Sequence, residues 1–263
     1  MNKIRTIIRK EWAEVFKNRL VLFTVAFLPL ILTAVPLGIL IAMGGDSDLQ
    51  GITSDIPEQF SAFCPLEISG GECFQVYMVS QFMIMFMILP LAIPATISAY
   101  SIVGEKTTRS LEPLLATPIT TAELLIGKSL AAAIPAILAT YIAFTIFAVG
   151  AWFVVPNRVL FNALLDARWL IAIFLVGPLL ALMAVSFSIM VSSRVNDPRV
   201  AEQVSMVIII PVMALFFGQL AGLFIINRQI ILAVAAALII IDAVLVYLAV
   251  QLFQRETILT RWK

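Results

Sequence analysis

Six long apolar segments, separated by polar ones, constrain this chain more than any other feature of its sequence. Each has about 20 residues or more, the length that an α-helix needs to cross the hydrocarbon core of a bilayer. They occupy residues 20–43, 77–103, 129–155, 169–191, 204–226 and 230–253. Only 13% of the residues are charged, about half the share found in soluble domains. We therefore expect an all-α membrane protein with six transmembrane helices in one domain, residues 20–253.

The positions of the basic residues predict the orientation of this domain. Cytoplasmic loops of membrane proteins are enriched in Lys and Arg. With an even number of spans and the N-terminus inside, the inner segments contain 14 of the 17 Lys and Arg residues. The outer segments then contain only Arg158, Arg168 and Arg228. We predict that the N-terminus and the tail, residues 254–263, are both cytoplasmic.

The first 19 residues form a separate predicted element. Apolar residues recur there at helical spacing, and Lys and Arg occupy the other positions; the apolar ones are Ile4, Ile7, Ile8, Trp12, Val15 and Phe16. This pattern predicts a basic amphipathic helix over residues 1–19 that lies in the membrane interface. A basic tail that only orients the first span is the alternative.

The predicted outer loop, residues 44–76, contains six acidic residues and no Lys or Arg. It is either a vestibule that attracts cations or a solvated loop that avoids positive charge on the outer side. Cys64 and Cys73 both lie in this loop. Because disulfides persist in oxidising compartments, we predict a bridge between these two cysteines.

The inner loop between the second and third segments, residues 104–128, is the most informative part of the sequence. Pro118 divides it into two short helical pieces. Leu111, Leu114 and Leu115 share one face of the first piece. Thr120 and Glu123 form a capping-box pattern at the start of the second. An exposed leucine face either contacts a partner or packs on the protein's own helices or on lipid.

The same loop resembles the signature of the type-two ABC exporter permeases. The matching residues are Glu105-Lys106, Leu111-Glu112-Pro113-Leu114-Leu115-Ala116-Thr117-Pro118, and Glu123-Leu124-Leu125 through Gly127-Lys128. This sequence departs from the family pattern in having Arg109 where glycine is usual and Thr107 where an acid is common. The layout of the whole chain is also similar to that family.

The resemblance implies a mechanism and a set of partners. The loop would act as a coupling helix in a separate ATP-binding subunit, which would hold the ATP and magnesium. Two permease copies, identical or closely related, and two ATPases would form the exporter in the cell membrane, in contact with lipid and without nucleic acid. The contact candidates carried over are Glu105, Arg109, Leu111, Glu112, Leu114 and Leu115.

Several chemical functions are disfavoured for the chain itself. The sequence contains no histidine, which excludes Ser–His and Cys–His catalysis and histidine-ligated metals. Residues 122–129 fit a loosened phosphate-loop pattern, but they are predicted to be helical and to enter a span directly, without the preceding strand that such a loop needs. We therefore expect no catalytic residue, no metal and no bound cofactor on this chain, which would not itself be an enzyme.

Asp242 is the one acidic residue in the middle of an apolar segment. A charged side chain at that depth costs about 2.5–3.5 kcal/mol on insertion scales. Asp242 is either part of a cation or proton path or a structural hydrogen-bonding group. The first interpretation supports the alternative function, a stand-alone secondary transporter or channel that uses Asp242 and the acidic outer loop.

Overall fold

The computed structural model describes residues 2–43, 70–107 and 120–252, and these residues are mostly helical, with no strand among them. The helices are α1 (Asn2–Val15), α2 (Arg19–Met43), α3 (Gly70–Met83), α4 (Leu89–Thr107), α5 (Thr121–Val154), α6 (Arg158–Leu164), α7 (Ala167–Ile171), α8 (Gly177–Arg194), α9 (Pro198–Ser205), α10 (Ile210–Leu220) and α11 (Arg228–Leu252). The predicted all-α class is confirmed.

Six of these helical stretches are long and apolar enough to cross a membrane, as the sequence predicts. They are Val21–Met43, Gly70–Glu105, Ala122–Val154, Arg158–Arg194, Pro198–Leu220 and Arg228–Gln251. We call the end of the bundle that holds α1 the inner face and the opposite end the outer face. The cytoplasmic position of the inner face stays a prediction.

The second span, formed by α3 and α4, is the centre of the bundle. Its apolar window is 83% buried, against 22% for the first, fifth and sixth spans. It packs against the first, third, fourth and fifth spans, and the sixth span packs against the fourth. The peripheral spans therefore expose most of their apolar surface, as expected for helices in contact with lipid.

Prolines account for three irregular segments inside the spans. Residues 84–88 and 206–209 are 3-10 helix, and residues 172–176 are π-helix. Each segment ends just before a proline in the first turn of the next helix, namely Pro90, Pro178 and Pro211. Proline lacks an N–H, and its ring displaces the carbonyl of the preceding turn, so the α-helical bonds are interrupted there.

The fifth span begins earlier in the chain than the apolar pattern predicts. The helix starts at Pro198, whose predecessor Asp197 accepts a hydrogen bond from the Arg199 amide at 2.7 Å. It ends at Leu220, and residues 221–227 continue as a turn, with Gly222 at a φ of +70°, and then without regular secondary structure. Residues 221–227 contain no helix.

One short helix was not predicted. Helix α6 follows the third span at the outer face, and Asn157 caps it by accepting a hydrogen bond from the Val159 amide at 3.0 Å. The Asn157 amide also donates to Glu72 at 2.7 Å, which fastens α6 to the start of the second span. The apolar pattern predicts only a connection on the outer side over residues 156–168.

Candidate functional site

Helix α1 is attached to the inner ends of the second and third spans, and this junction is the candidate functional site. The buried residues of α1 recur every four positions at Ile7, Glu11 and Val15, so they form one stripe. The stripe faces α5 and α4, which both contact α1. The predicted helix is therefore present over Asn2–Val15, and its position in a membrane interface stays a prediction.

The contact between α1 and α5 is close because α5 has small residues at the crossing point. A Cβ added to Gly127 would lie 2.8 Å from Ile7 Cγ2 and 3.0 Å from Ile7 Cβ. One turn further along α5, the carbonyl of Ala131 accepts a hydrogen bond from Trp12 Nε1 at 2.9 Å. Gly127 therefore lets the two backbones approach, and Trp12 fixes the position of α1 along α5.

Next to this crossing point of α1 and α5 lies a buried network of ionic side chains. Lys128 Nζ lies 2.8 Å from Glu11 Oε1 and 2.8 Å from Glu105 Oε2. It also donates a hydrogen bond to Ser101 Oγ at 2.9 Å, and the Ser101 hydroxyl donates to Glu11. The side chains of Lys128, Glu11 and Glu105 are each at most 4% exposed. The network joins α1, α4 and α5.

Lys10 completes the network at its exposed edge. Its ammonium lies 2.5 Å from Glu105 Oε1 and 3.8 Å from Glu14 Oε1. Desolvation alone lowers the pKa of Lys10, but the hydrogen bond and charge of Glu105 outweigh it, so this pKa lies above its ordinary value. The two ammonium groups, Lys10 and Lys128, balance the carboxylates of Glu11 and Glu105. Truncating one member of such a buried pair costs about 3–5 kcal/mol, because the other charge remains buried.

The junction also reaches the start of α5. Thr120 caps this helix, and its hydroxyl accepts a hydrogen bond from the Glu123 amide at 3.2 Å while Glu123 Oε2 accepts one from the Thr120 amide at 2.9 Å. The predicted capping box is therefore present. Lys3 of α1 lies 3.4 Å from Glu123 in an exposed ion pair. Helix α1 thus contacts residues that precede and follow residues 108–119.

The sequence-predicted contact residues divide between this junction and the remainder of the loop. Arg109, Leu111, Glu112, Leu114 and Leu115 lie outside the described residues, and their roles stay predictions. Glu105 is described, and its partners are Lys128 and Lys10 of its own chain. Contact of Glu105 with an ATPase also stays a prediction, but its carboxylate is only 4% exposed.

The family of the chain follows from its match to known sequences. The family model described as ABC-2 family transporter protein matches residues 5–229, from α1 to the start of α11. The chain belongs to the ABC-2 transporter family. No curated protein matches the sequence. Family membership makes this ABC-2 chain the permease component of an ABC transporter and implies an ABC ATPase subunit as its partner.

Sequence reasoning missed Glu11 and Lys128 as partners. Glu11 follows Ile7 by four residues and precedes Val15 by four, so an acid in the apolar stripe of α1 was the available signal. Its partner lies 117 residues away in the chain, so no local pattern connects the two residues.

Asp242, the predicted intramembrane site, lies in the middle of α11 and is 4% exposed. Neither of its carboxylate oxygens has a hydrogen-bond partner among the described residues. The structure thus places Asp242 away from the junction at the inner face, on the stripe of α11 that faces the bundle.

Another acidic residue within a candidate span was not predicted to be there. Glu202 lies in α9, within the fifth span, and its Oε1 accepts a hydrogen bond from Thr96 Oγ1 of the second span at 2.9 Å. The apolar pattern predicts that this span starts at residue 204, which leaves Glu202 outside it.

The remaining predicted groups belong to the predicted outer loop. Cys73 is in the first turns of α3 and is 7% exposed. Cys64 and residues 44–69 lie outside the described residues, so the bridge and the vestibule stay predictions. Within residues 2–43, 70–107 and 120–252, no cluster of His, Cys, Asp and Glu could hold a metal ion.

Proposed function

We propose that this chain is the transmembrane permease subunit of an ATP-driven exporter, coupled to a separate ATPase through its 104–128 loop. The observation that carries the proposal is the attachment of α1 to both ends of that loop, through Glu105 near its start and Lys128 at its end. A force applied to the loop therefore acts on α1 and on the second and third spans together.

Helix α5 gives such a force a path across the membrane. It is a single helix of 34 residues from Thr121 to Val154, or about 50 Å at 1.5 Å per residue. Displacement of its inner end is therefore transmitted to residues 155–166 at the outer face, which we call the outer connector.

The nucleotide chemistry is assigned to the partner. Lys128, the lysine of the loosened phosphate-loop pattern, is paired with two carboxylates and is buried in a helical junction. A phosphate-binding lysine needs instead a glycine-rich turn whose amides surround the phosphates. ATP and magnesium would bind to two copies of the ATPase, and a second permease copy, identical or closely related, would complete a complex in the cell membrane with both permease ends cytoplasmic.

The experiment starts with the complex purified from its native membrane through a tag on this chain. ATP hydrolysis is measured first, and then hydrogen exchange of the outer connector with and without Mg-ATP and vanadate. Glu112→Lys or Leu114→Asp should leave hydrolysis in place and abolish the nucleotide-dependent change in exchange. Leu223→Ala, an exposed leucine of the outer face, is the control.

Unaltered coupling in both loop variants would contradict the role of the loop. Purification of this chain alone, with transport that needs no ATP, would favour the alternative secondary transporter or channel. The buried Asp242, whose oxygens lack partners among the described residues, is the observation that favours that alternative. The direction of transport is tested with inside-out membrane vesicles, in which an exporter accumulates its cargo.

A further inference from the structure

The ion network of α1, α4 and α5 is difficult to explain as a stabilising feature alone. Burying ions requires their desolvation, and well-packed apolar residues in place of a buried ion network are often as stable or more so. A helix such as α1 could be held by Ile7, Val15 and Trp12 without any charge. The network therefore calls for another explanation.

The network restricts where α1 can sit. If α1 moved by one turn along α5, Ile7 or Val15 would lie opposite Lys128, and Glu11 would be buried without a cation. Because an unpaired buried charge is costly, intermediate positions are unfavourable, and α1 is held in one register. The close contact of Ile7 with Gly127 restricts the same movement sterically.

The network also joins three elements through one atom. Lys128 Nζ contacts Glu11 on α1 and both Glu105 and Ser101 on α4, while its own backbone belongs to α5. The two flanking helices of the loop are therefore connected to α1 and to each other at the same point. Displacement of any one of them requires the other two to follow or the ion pairs to break.

We infer that Lys128, held between Glu11 and Glu105, is a positioning residue that makes α1 and the inner ends of the second and third spans move as one unit during the transport cycle. This inference rests on the proposed function and assigns the coupling to a residue that does not itself contact nucleotide or cargo. Glu11 is its second positioning residue, contributed by α1.

The test uses the intact complex and two readouts, ATP hydrolysis and the nucleotide-dependent change in hydrogen exchange of the outer connector. Lys128→Met removes the shared cation. The double variant Glu11→Gln/Lys128→Met removes one charge of each sign and leaves the Lys10–Glu105 pair, so it folds without an unpaired buried carboxylate. In both variants we expect hydrolysis within about twofold of the wild type and a change in exchange reduced by about tenfold, a typical size for coupling between sites.

Lys3→Met is the matched control. Lys3 lies on the same helix as Glu11 and pairs with Glu123 on the same α5, but this pair is exposed. Exposed pairs contribute little, so Lys3→Met should keep the full change in exchange. A loss as large as that of Lys128→Met would show that any charge on α1 matters and would contradict the inference.

A covalent joint provides the rescue experiment. The Cβ of Ile7 and a Cβ at residue 127 would be 3.0 Å apart, and a disulfide needs about 3.5–4.5 Å. If the two helices move apart by about half an ångström, the variant Ile7→Cys/Gly127→Cys can therefore form a disulfide. In the Lys128→Met background, oxidation should restore the change in exchange and reduction should remove it. The Lys128→Met variant alone, oxidised and reduced, controls for Cys64 and Cys73.

The outcomes separate the inference from the proposed function. If the wild-type complex hydrolyses ATP and moves its outer connector, but the folded double variant moves it equally, the inference is wrong and the proposed function stands. If the bridge abolishes the movement when Lys128 is present, the joint must open during the cycle, and the inference is also wrong. If the wild-type chain has no ATPase partner and no nucleotide response, the proposed function itself fails.

Discussion

Gly127→Ala tests the packing of α1 in quantitative terms. The added methyl group would lie 2.8 Å from Ile7 Cγ2 and 3.0 Å from Ile7 Cβ. Both atoms are close to the backbone of α1, so a rotation of the side chain does not relieve the contact, and α1 must move away from α5. Overpacking of this kind costs about 1–3 kcal/mol. Because α5 is helical whether α1 is docked or undocked, the helix propensity of alanine does not offset this cost, and we expect a loss of about 1–3 kcal/mol in the free energy of undocking α1.

The assay is a double-mutant cycle with Ile7→Ala, read from the hydrogen exchange of the α1 amides in lipid nanodiscs. Ile7→Ala alone should cost about 2–5 kcal/mol, because Ile7 is buried. It removes Cγ2, the atom closest to the new methyl group, but keeps Cβ at 3.0 Å, so Gly127→Ala should then cost less than it does in the wild type. The expected interaction energy is about 1–2 kcal/mol. Additive effects of the two substitutions would refute the close approach of α1 to α5.

Two further predictions concern residues away from this junction. Asp242→Leu should raise the free energy of unfolding by about 1–3 kcal/mol, because it removes buried carboxylate oxygens that lack partners among the described residues. Thermal unfolding in detergent measures this change. A lower stability of the variant would indicate that Asp242 has a partner in the assembled complex. Mass mapping of the membrane-inserted protein without reductant should find Cys64 linked to Cys73. Two free thiols would contradict the bridge. Removal of the bridge should cost about 2–3 kcal/mol of local stability.

The positions of the spans could be predicted well because hydropathy depends on composition over a long window. The start of the fifth span could not, although Asp197 and Pro198 form a good helix start, a cap followed by a proline in the first turn. The window detected the apolar stretch from residue 204 and missed the polar turns before it. Glu202 was consequently assigned to a loop, and its bond to Thr96 was not anticipated.

The candidate site was predicted only in part, for a physical reason. The loop and its capping box are local patterns, and Thr120 with Glu123 is readable within four residues. The ion network depends on contacts between residues that are far apart in the chain: Lys10 and Glu105 are separated by 95 positions, and Glu11 and Lys128 by 117. A single sequence shows that Glu11 interrupts an apolar stripe but does not show which cation approaches it. Such a residue is better interpreted as a buried group that needs a distant partner than as part of the solvated face.

Site-specific crosslinking tests most directly whether the 104–128 loop contacts a separate ATPase subunit. A photoreactive amino acid is placed at Leu115, and in a control variant at the exposed Leu223 of the outer face. The complex is irradiated in its native membrane after ATP hydrolysis has been verified. We predict a crosslink from position 115 to an ATPase with a phosphate loop and none from position 223. Crosslinks from position 115 only to the permease itself, in a complex that still hydrolyses ATP, would contradict the account.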